Sequence, residues 1–431
     1  MTGESIKRRA VITGVGMITP SGRNSEETFA HCSQGLSGID YIKSFDTTGL
    51  TCTIGGEINN EWLEDFEKQA NQKLRKLSSR GLRLMHAATS EAAEQAGLNN
   101  IADRHKIGVS LGSHGDNPSV KDMEFLHRFI NDEGQWDMKK LLKSGGYPYL
   151  NFFTRKPDAA ATILAKLLDC KGPSLAIVSA CAAGSQAIGE AVRLIQDRKC
   201  DVMIAGGAEA TLDFVGMSGF ILLKALSEKY ETPQAASRPF DRKRNGFVMS
   251  EGAGAVVIED LDHALSRGAN ILGEIKGYCS SADAYRITDT HPKGLGAVIA
   301  MKGALDDAAL HPDDVDYINA HGTSTTQNDL TETRAVQEVF GERANRIPVS
   351  SNKSMLGHTI AAAGAIECIL SILGINRSVL LPTINHEFRD PKCKLDYVPN
   401  EAREYKHNVV ISNSFGFGGQ NACLCIVRFS D

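Results

Sequence analysis

The sequence has no CxxC pair, no stretch that reads as a transmembrane span and no excess of positive charge. Each absence closes a class of function. The ten cysteines are scattered, and Cys423-Leu-Cys425 lies in an alternating, strand-like pattern with no histidine cluster beside it, so no metal site is expected. Scattered free thiols fit a reducing cytoplasm. The opening residues Met1-Thr-Gly-Glu-Ser-Ile-Lys-Arg-Arg pass straight into a strand-like run, without the apolar core of a signal peptide. A formal net charge of −5 leaves no footprint for nucleic acid or a membrane surface, although a local basic patch remains compatible with it. The pair Gly14-Val-Gly16 lacks the third glycine of a dinucleotide loop, and Pro20 breaks the helix that such a loop needs.

What is present is an ordinary globular composition, 42% hydrophobic and 23% charged over 431 residues. Strand-like and helix-like segments alternate throughout, which predicts an α/β protein with parallel sheet and helices on both faces. A first strand, with a glycine turn at Gly14-Val-Gly16, begins at Ala10. Helices are predicted over 25–33, 81–97, 159–168, 294–308, 330–340 and 359–373. Residues 114–150 read as an irregular, partly helical excursion. The pattern starts again after Arg267, which predicts two similar halves, 1–266 and 267–431. With no low-complexity linker between them, they should form one body with two stacked sheets and a shared helical core.

The chemistry centres on Val178-Ser-Ala-Cys181-Ala-Ala-Gly184. The apolar run Leu175-Ala-Ile-Val178 reads as a buried strand, and a helical pattern follows from Gln186. Cys181 therefore sits at a helix start, where free N–H groups and the helix dipole stabilise a thiolate. Three further groups lie at strand ends, where α/β folds place reacting groups: His321 in Ala320-His-Gly-Thr-Ser-Thr325, and Lys353 and His358 in Asn352-Lys-Ser-Met-Leu-Gly-His358. A helix start beside His358 favours a neutral imidazole. A cysteine protease needs one histidine base with an orienting amide or carboxylate. Two histidines with a lysine fit a different task, the stabilisation of an enolate formed by loss of CO2. Gly416-Phe-Gly-Gly419 offers a flexible backbone N–H for an oxyanion.

These four motifs, with Asn413-Ser-Phe ahead of the glycine loop, resemble those of the β-ketoacyl-(acyl carrier protein) synthases in the same order over nearly the whole chain. The elongating type is most similar, including the ketosynthase subunit of type II polyketide systems. The resemblance implies a thiolase fold with a five-layered α-β-α-β-α core. It implies a homodimer, or a heterodimer with a chain-length-factor-like subunit, and an acyl carrier protein as partner. No cofactor is bound; substrates arrive on the carrier's phosphopantetheine arm. By the same match, Cys181 carries the acyl group, His321 and His358 support decarboxylation, and Lys353, paired with Glu332, orders the histidines. The N–H groups of Cys181 and Phe417 form the oxyanion hole, and Phe417 is the gate. Arg75, Lys76 and Arg244 are candidates to meet the carrier protein; without the match the basic stretch from Leu74 to Arg80 reads as a solvated helix start. The sequence departs from the fatty-acid pattern at Ala182-Ala183, at Thr359-Ile360 and over 114–158, with Arg155-Lys156-Pro157 in a usually apolar neighbourhood. A specialised condensing enzyme of polyketide or polyene synthesis is therefore expected, with fatty-acid elongation as the alternative. A thiolase is disfavoured, since no cysteine precedes the Gly-Phe-Gly-Gly loop. A non-catalytic chain-length factor is disfavoured because it would lack the nucleophile.

Overall fold

Strand β1 (Ala10–Ile18) is buried at all nine residues, because both of its faces are covered. The structure is a computed structural model that describes residues 7–69, 79–146, 153–286 and 289–430. From β1 the chain runs through α1 (Arg80–Gln95), β2 (Ile107–Gly112), α2 (Ala159–Leu167), β3 (Ser174–Ile177), α3 (Ala183–Gln196), β4 (Val202–Glu209) and β5 (Gly252–Asp260). The same succession then returns as β6 (Gly273–Ala282), α4 (Leu295–Ala308), β7 (Tyr317–Asn319), α5 (Thr326–Phe340), β8 (Val349–Ser350), α6 (Ala363–Arg377), β9 (Val409–Phe415) and β10 (Gln420–Val427).

The strands lie in the order β8-β7-β9-β10-β6-β1-β5-β4-β2-β3. Each half draws the same figure. From β1 or β6 outward, two antiparallel pairings are followed by two parallel ones. The two stacked sheets expected from the sequence are joined into one ten-stranded sheet. The junction is short, Val11 opposite Glu274 and Ile12 opposite Gly273. It forms because β1 and β6 are the inner edges of their halves, and buried backbone groups at an edge need partners. Helices α3 and α6 pack on each other and touch strands of both halves. Helix α1 covers the outer face of the first half and α4 that of the second, with α5 beside it. Five layers result. The apolar stretch Ile360–Arg377 is long enough to cross a membrane but is 89% buried, as the central layer requires.

Three local expectations change. Gly14 and Gly16 are not a turn but lie within β1. A β-carbon at Gly14 would stand 2.2 Å from the Ala92 carbonyl oxygen, and one at Gly16 2.2 Å from that of Ala88, so the two glycines let α1 sit directly on the strand. Helix α5 begins at Thr326 rather than Leu330 because the Thr325 hydroxyl accepts the Asn328 N–H at 3.3 Å. The run from Leu175 to Val178 is not buried. Ser174 and Ala176 are exposed and Val178 is 55% exposed; β3 is the outermost strand of the sheet among the described residues. Within the excursion, helices Val120–His127 and Met138–Ser144 form, and Arg155 ties the segment down through Asp122 at 2.5 Å.

Replacing Gly14 by alanine should destabilise the fold by about 1–3 kcal/mol, the cost of overpacking a core contact that is backbone on both sides. Urea unfolding followed by circular dichroism measures this, and an unchanged midpoint would show that α1 does not press on β1.

Candidate active site

Cys181 stands in a tight 3-10 turn, Ala180–Ala182, between edge strand β3 and helix α3. The turn holds Ala180 at φ 48°, a left-handed conformation that costs a non-glycine residue about 1 kcal/mol. It aims the Cys181 side chain inward, leaving the residue 1% exposed. The second half repeats this elbow. Ile360 has φ 42°, the 3-10 turn Ile360–Ala362 follows, and α6 begins at Ala363. The repeat is legible as Ser179-Ala-Cys-Ala-Ala-Gly184 against Thr359-Ile-Ala-Ala-Ala-Gly364, a signal that the sequence reading passed over.

His358 enters just before the second elbow, pinned where its N–H donates to the Val248 carbonyl at 2.7 Å and its carbonyl accepts from Ser250 at 3.0 Å. Its Nδ1 accepts the Ile360 N–H at 3.2 Å. That bond occupies the Nδ1 lone pair, so a neutral ring carries its proton on Nε2, which lies 3.1 Å from the Cys181 Sγ. The ring of His321 meets His358 edge-on, with centroids 5.3 Å apart. Both imidazoles are held well below the usual histidine range, first by burial and then by the charge of Lys353. Each is therefore a neutral hydrogen-bonding group.

The thiol behaves differently from expectation. Burial pushes Cys181 up to about 11, outweighing the Phe417 N–H, the charge of Lys353 and the cysteine's own N–H, which all favour the thiolate. Cys181 therefore rests as a thiol, not as a standing thiolate. A thiol beside a histidine Nε2–H reacts when its proton can leave with the departing group.

The pairing of Lys353 with Glu332 is corrected. The Lys353 ammonium is bonded to Glu367 of α6, and both side chains are 3% exposed. Burial lifts Glu367 to about 7, with Lys353 opposing. A lone acid on an otherwise apolar helix was the sequence signal for it. Glu332 of α5 holds backbone instead: its two oxygens accept the N–H groups of His321 and Gly322, each at 2.8 Å, and Asn413 adds a bond at 3.2 Å. It shapes the loop that presents His321.

Phe417 packs against the apolar cluster that contains Cys181, in a turn where Gly418 and Gly419 both have positive φ, 87° and 75°. Its ring centroid is 6.0 Å from Phe220 and 6.3 Å from Phe247. Beside it opens a cavity of about 270 Å³ lined by His321, Thr323, Thr325, Asn328, Asn245 and Phe417 among others. The only lysine or arginine in its lining, among the described residues, is the exposed Lys224. Arg244 is not a surface cation. It is 6% exposed, bonded to Asp390 at 2.7 Å and 3.6 Å from Asp329, inside the body. Arg75 and Lys76 lie outside the described residues. The ligand atoms of Cys181, His321 and His358 lie within 4.8 Å of one another, a spacing that a soft divalent cation could bridge; such an ion would tie up the Cys181 sulfur.

Residues 7–264 match the N-terminal domain of the β-ketoacyl synthases and residues 272–387 their C-terminal domain. The chain is similar to the 3-oxoacyl-[acyl-carrier-protein] synthase 2 of Staphylococcus aureus (strain COL), 41% identical over 429 residues and 99% of each chain. It is also 41% identical over 430 residues to the Synechocystis sp. protein of the same name, covering 98% of this chain and 99% of that one. Among solved structures, a ketosynthase bound to the hexaketide, in complex with its type II PKS acyl-carrier protein, matches with TM-score 0.86 and 32% identity, covering 98% of this chain and 100% of that one. The ishigamide ketosynthase/chain length factor matches with TM-score 0.83 and 31% identity, over 98% and 100%.

Removing one partner of a buried ion pair typically costs about 3–5 kcal/mol. Lys353→Met should lose that much in urea unfolding. Adding Glu367→Gln should restore most of it, whereas adding Glu332→Gln should restore none. Recovery with the Glu332 change instead would reverse the assignment.

Proposed function

The chain belongs to the β-ketoacyl synthase family, and from that premise we propose how its own residues carry out a decarboxylative Claisen condensation of malonyl-(acyl carrier protein) with an acyl group held on Cys181. The observation that carries the reading is the 3.1 Å approach of the His358 Nε2 to the Cys181 Sγ with Nδ1 already occupied. The family match extends over both halves, and the division at 266/267 is taken as the boundary between them.

In the first stage the Cys181 sulfur attacks an acyl thioester. A new carbon–sulfur bond forms, the bond to the pantetheine sulfur breaks, and the cysteine proton leaves with the pantetheine thiol. The N–H groups of Cys181 and Phe417 hold the oxygen that becomes negative. In the second stage a malonyl thioester occupies the cavity, where the hydroxyls of Thr323 and Thr325 offer hydrogen bonds to the amides of the arm and Lys224 offers charge to its phosphate. The carboxylate leaves as CO2. The enolate oxygen is stabilised by His358 and His321, which neutral imidazoles do by donating hydrogen bonds rather than protons. The carbanion carbon attacks the Cys181 thioester, a carbon–carbon bond forms, and the cysteine sulfur is expelled and takes a proton from water. Phe417, on its glycine turn, is the gate between the two stages. Lys353 positions the site: its charge adds to the burial that keeps the histidines neutral, and Glu367 holds its ammonium in place.

For the primer, a specialised polyketide or polyene chain is the first reading. It is supported by the likeness to a type II PKS ketosynthase, by Ala182-Ala183 after the nucleophile and by the charged 114–158 excursion anchored through Arg155. The 41% identity to 3-oxoacyl-[acyl-carrier-protein] synthase 2 proteins favours fatty-acid elongation as a second reading. An acyl carrier protein is the partner. All ten cysteines are free, which fits a reducing cytoplasm. The free edge of β3, with Val178 55% exposed, supports pairing with a second copy of this chain; one of the similar structures is a ketosynthase/chain length factor.

Reconstitution with malonyl carrier protein should give a primer-length-plus-two-carbon 3-oxo product, with the acyl mass on Cys181, and Cys181→Ala should abolish it. Efficient extension of saturated primers by this chain alone would favour fatty-acid elongation over the specialised reading. In sedimentation the native chain should run as a dimer and Val178→Asp, which charges the open edge, should run as a single chain. A monomeric native protein that dimerises only with a chain-length-factor-like subunit would replace the homodimer.

A further inference from the structure

The acyl chain must rest where the incoming malonyl arm does not. The cavity beside Phe417 draws most of its lining from the second half and from residues 224–247, so the acyl chain on Cys181 is left with the first-half side. That side carries a polar group the condensation does not use. His114 stands two residues past Gly112, the last residue of β2. His321 stands two residues past Asn319, the last residue of β7. Strands β2 and β7 occupy the same place in the two halves of the sheet, one in from the outer edge. Each histidine is followed by a glycine of positive φ, 77° at Gly115 and 37° at Gly322. His114 is thus the counterpart of His321 in the other half.

Its setting is built. The Nδ1 of His114 is 2.7 Å from Oε2 of Glu209, at the end of β4. That same oxygen accepts the Ala361 N–H at 3.4 Å, and Ala361 is the elbow residue opposite Cys181. Gly112, at the end of β2, packs against the first turn of α3: a β-carbon there would stand 2.6 Å from the Ala183 carbonyl carbon. The Glu209 carboxylate is buried, and its Oε1 has no hydrogen-bond partner. The His114 side chain is 29% exposed, and among the described residues its Nε2 makes no hydrogen bond. Burial alone would lower His114, but the hydrogen bond and charge of Glu209 outweigh it and raise the group above its ordinary value. The pair is electrically close to the reaction: the charge of His114 lowers His358 and that of Glu209 raises Cys181. A saturated acyl chain has no use for such a pair, and desolvating it against methylenes would cost.

We propose that His114, paired as an imidazolium with the Glu209 carboxylate, is a specificity-determining residue that donates a hydrogen bond from Nε2 to an oxygen on the acyl chain carried by Cys181, selecting 3-oxo or 3-hydroxy primers over saturated ones. This rests on Cys181 being the acyl carrier, as proposed above.

The test is the rate of Cys181 acylation, read by intact mass, from carrier-protein primers of equal length that are either saturated or bear a 3-oxo or 3-hydroxy group. The native chain should prefer the oxygenated primers. His114→Phe and His114→Ala should lower the ratio of oxygenated to saturated rates about 10-fold or more, as loss of a charge-assisted hydrogen bond does. His114→Gln, which keeps a donor, should retain part of the preference, and loading of the saturated primer reports that each variant is folded. A ratio within about twofold of native in both His114→Phe and His114→Ala, with loading intact, overturns this inference and leaves the condensation reading standing. Absence of loading from any primer on native Cys181 overturns both.

Discussion

Two helix starts pressed against each other set the geometry of everything reactive in this protein. The first turns of α3 and α6 meet at the centre of the five layers, and only small residues allow the approach. A β-carbon at Gly184 would stand 2.8 Å from the Ala361 carbonyl oxygen, and one at Gly364 2.1 Å from the Ser185 hydroxyl. The Ser185 and Ser414 hydroxyls bridge the halves at 2.9 Å. Because the two elbows are locked to each other, Cys181 on one and His358 beside the other are brought to hydrogen-bonding distance although 177 residues apart. The same contact brings Glu209, and His114 bonded to it, to the Ala361 N–H.

Burial then decides the protonation states. No reacting group in the cluster is more than 2% exposed, so the low dielectric penalises every charge that lacks a partner. The histidines are kept neutral, the thiol is kept protonated, and the single ammonium is admitted only with Glu367 against it. A neutral Nε2–H suits an enolate, which needs a donor that does not give its proton away. Glu332 is compatible with the same rule because its oxygens accept backbone N–H groups; it acts on the shape of the His321 loop and not on charge. The favourable effect of a helix start on a thiolate is real but smaller here than the cost of desolvation, which is why Cys181 differs from its expected state.

Much of this was legible in the residues. Alternating patterns located the principal strands and helices and the restart after Arg267. Cys181, His321, Lys353, His358 and Phe417 were each placed at a strand end or glycine turn, and the structure gathers them. The misses share one cause, which is that a linear pattern does not say what lies opposite. Gly14 and Gly16 read as a turn because the helix lying on them is 70 residues or more away in sequence. Leu175 to Val178 read as buried because apolar strands usually are, whereas this one is an uncovered edge. Arg244 read as a surface cation because nothing local reveals Asp329 and Asp390.

By itself the sequence determined the α/β order, the two like halves, the reactive residue types and the family, because periodicity, turn chemistry and motif spacing are local properties of the chain. Tertiary structure alone decided which carboxylate neutralises Lys353, which imidazole nitrogen meets the thiol, that the thiol rests protonated, and that His114 meets the buried Glu209. Those are properties of distance and burial between residues far apart in the chain, and they exist only once α3 and α6 have closed on each other.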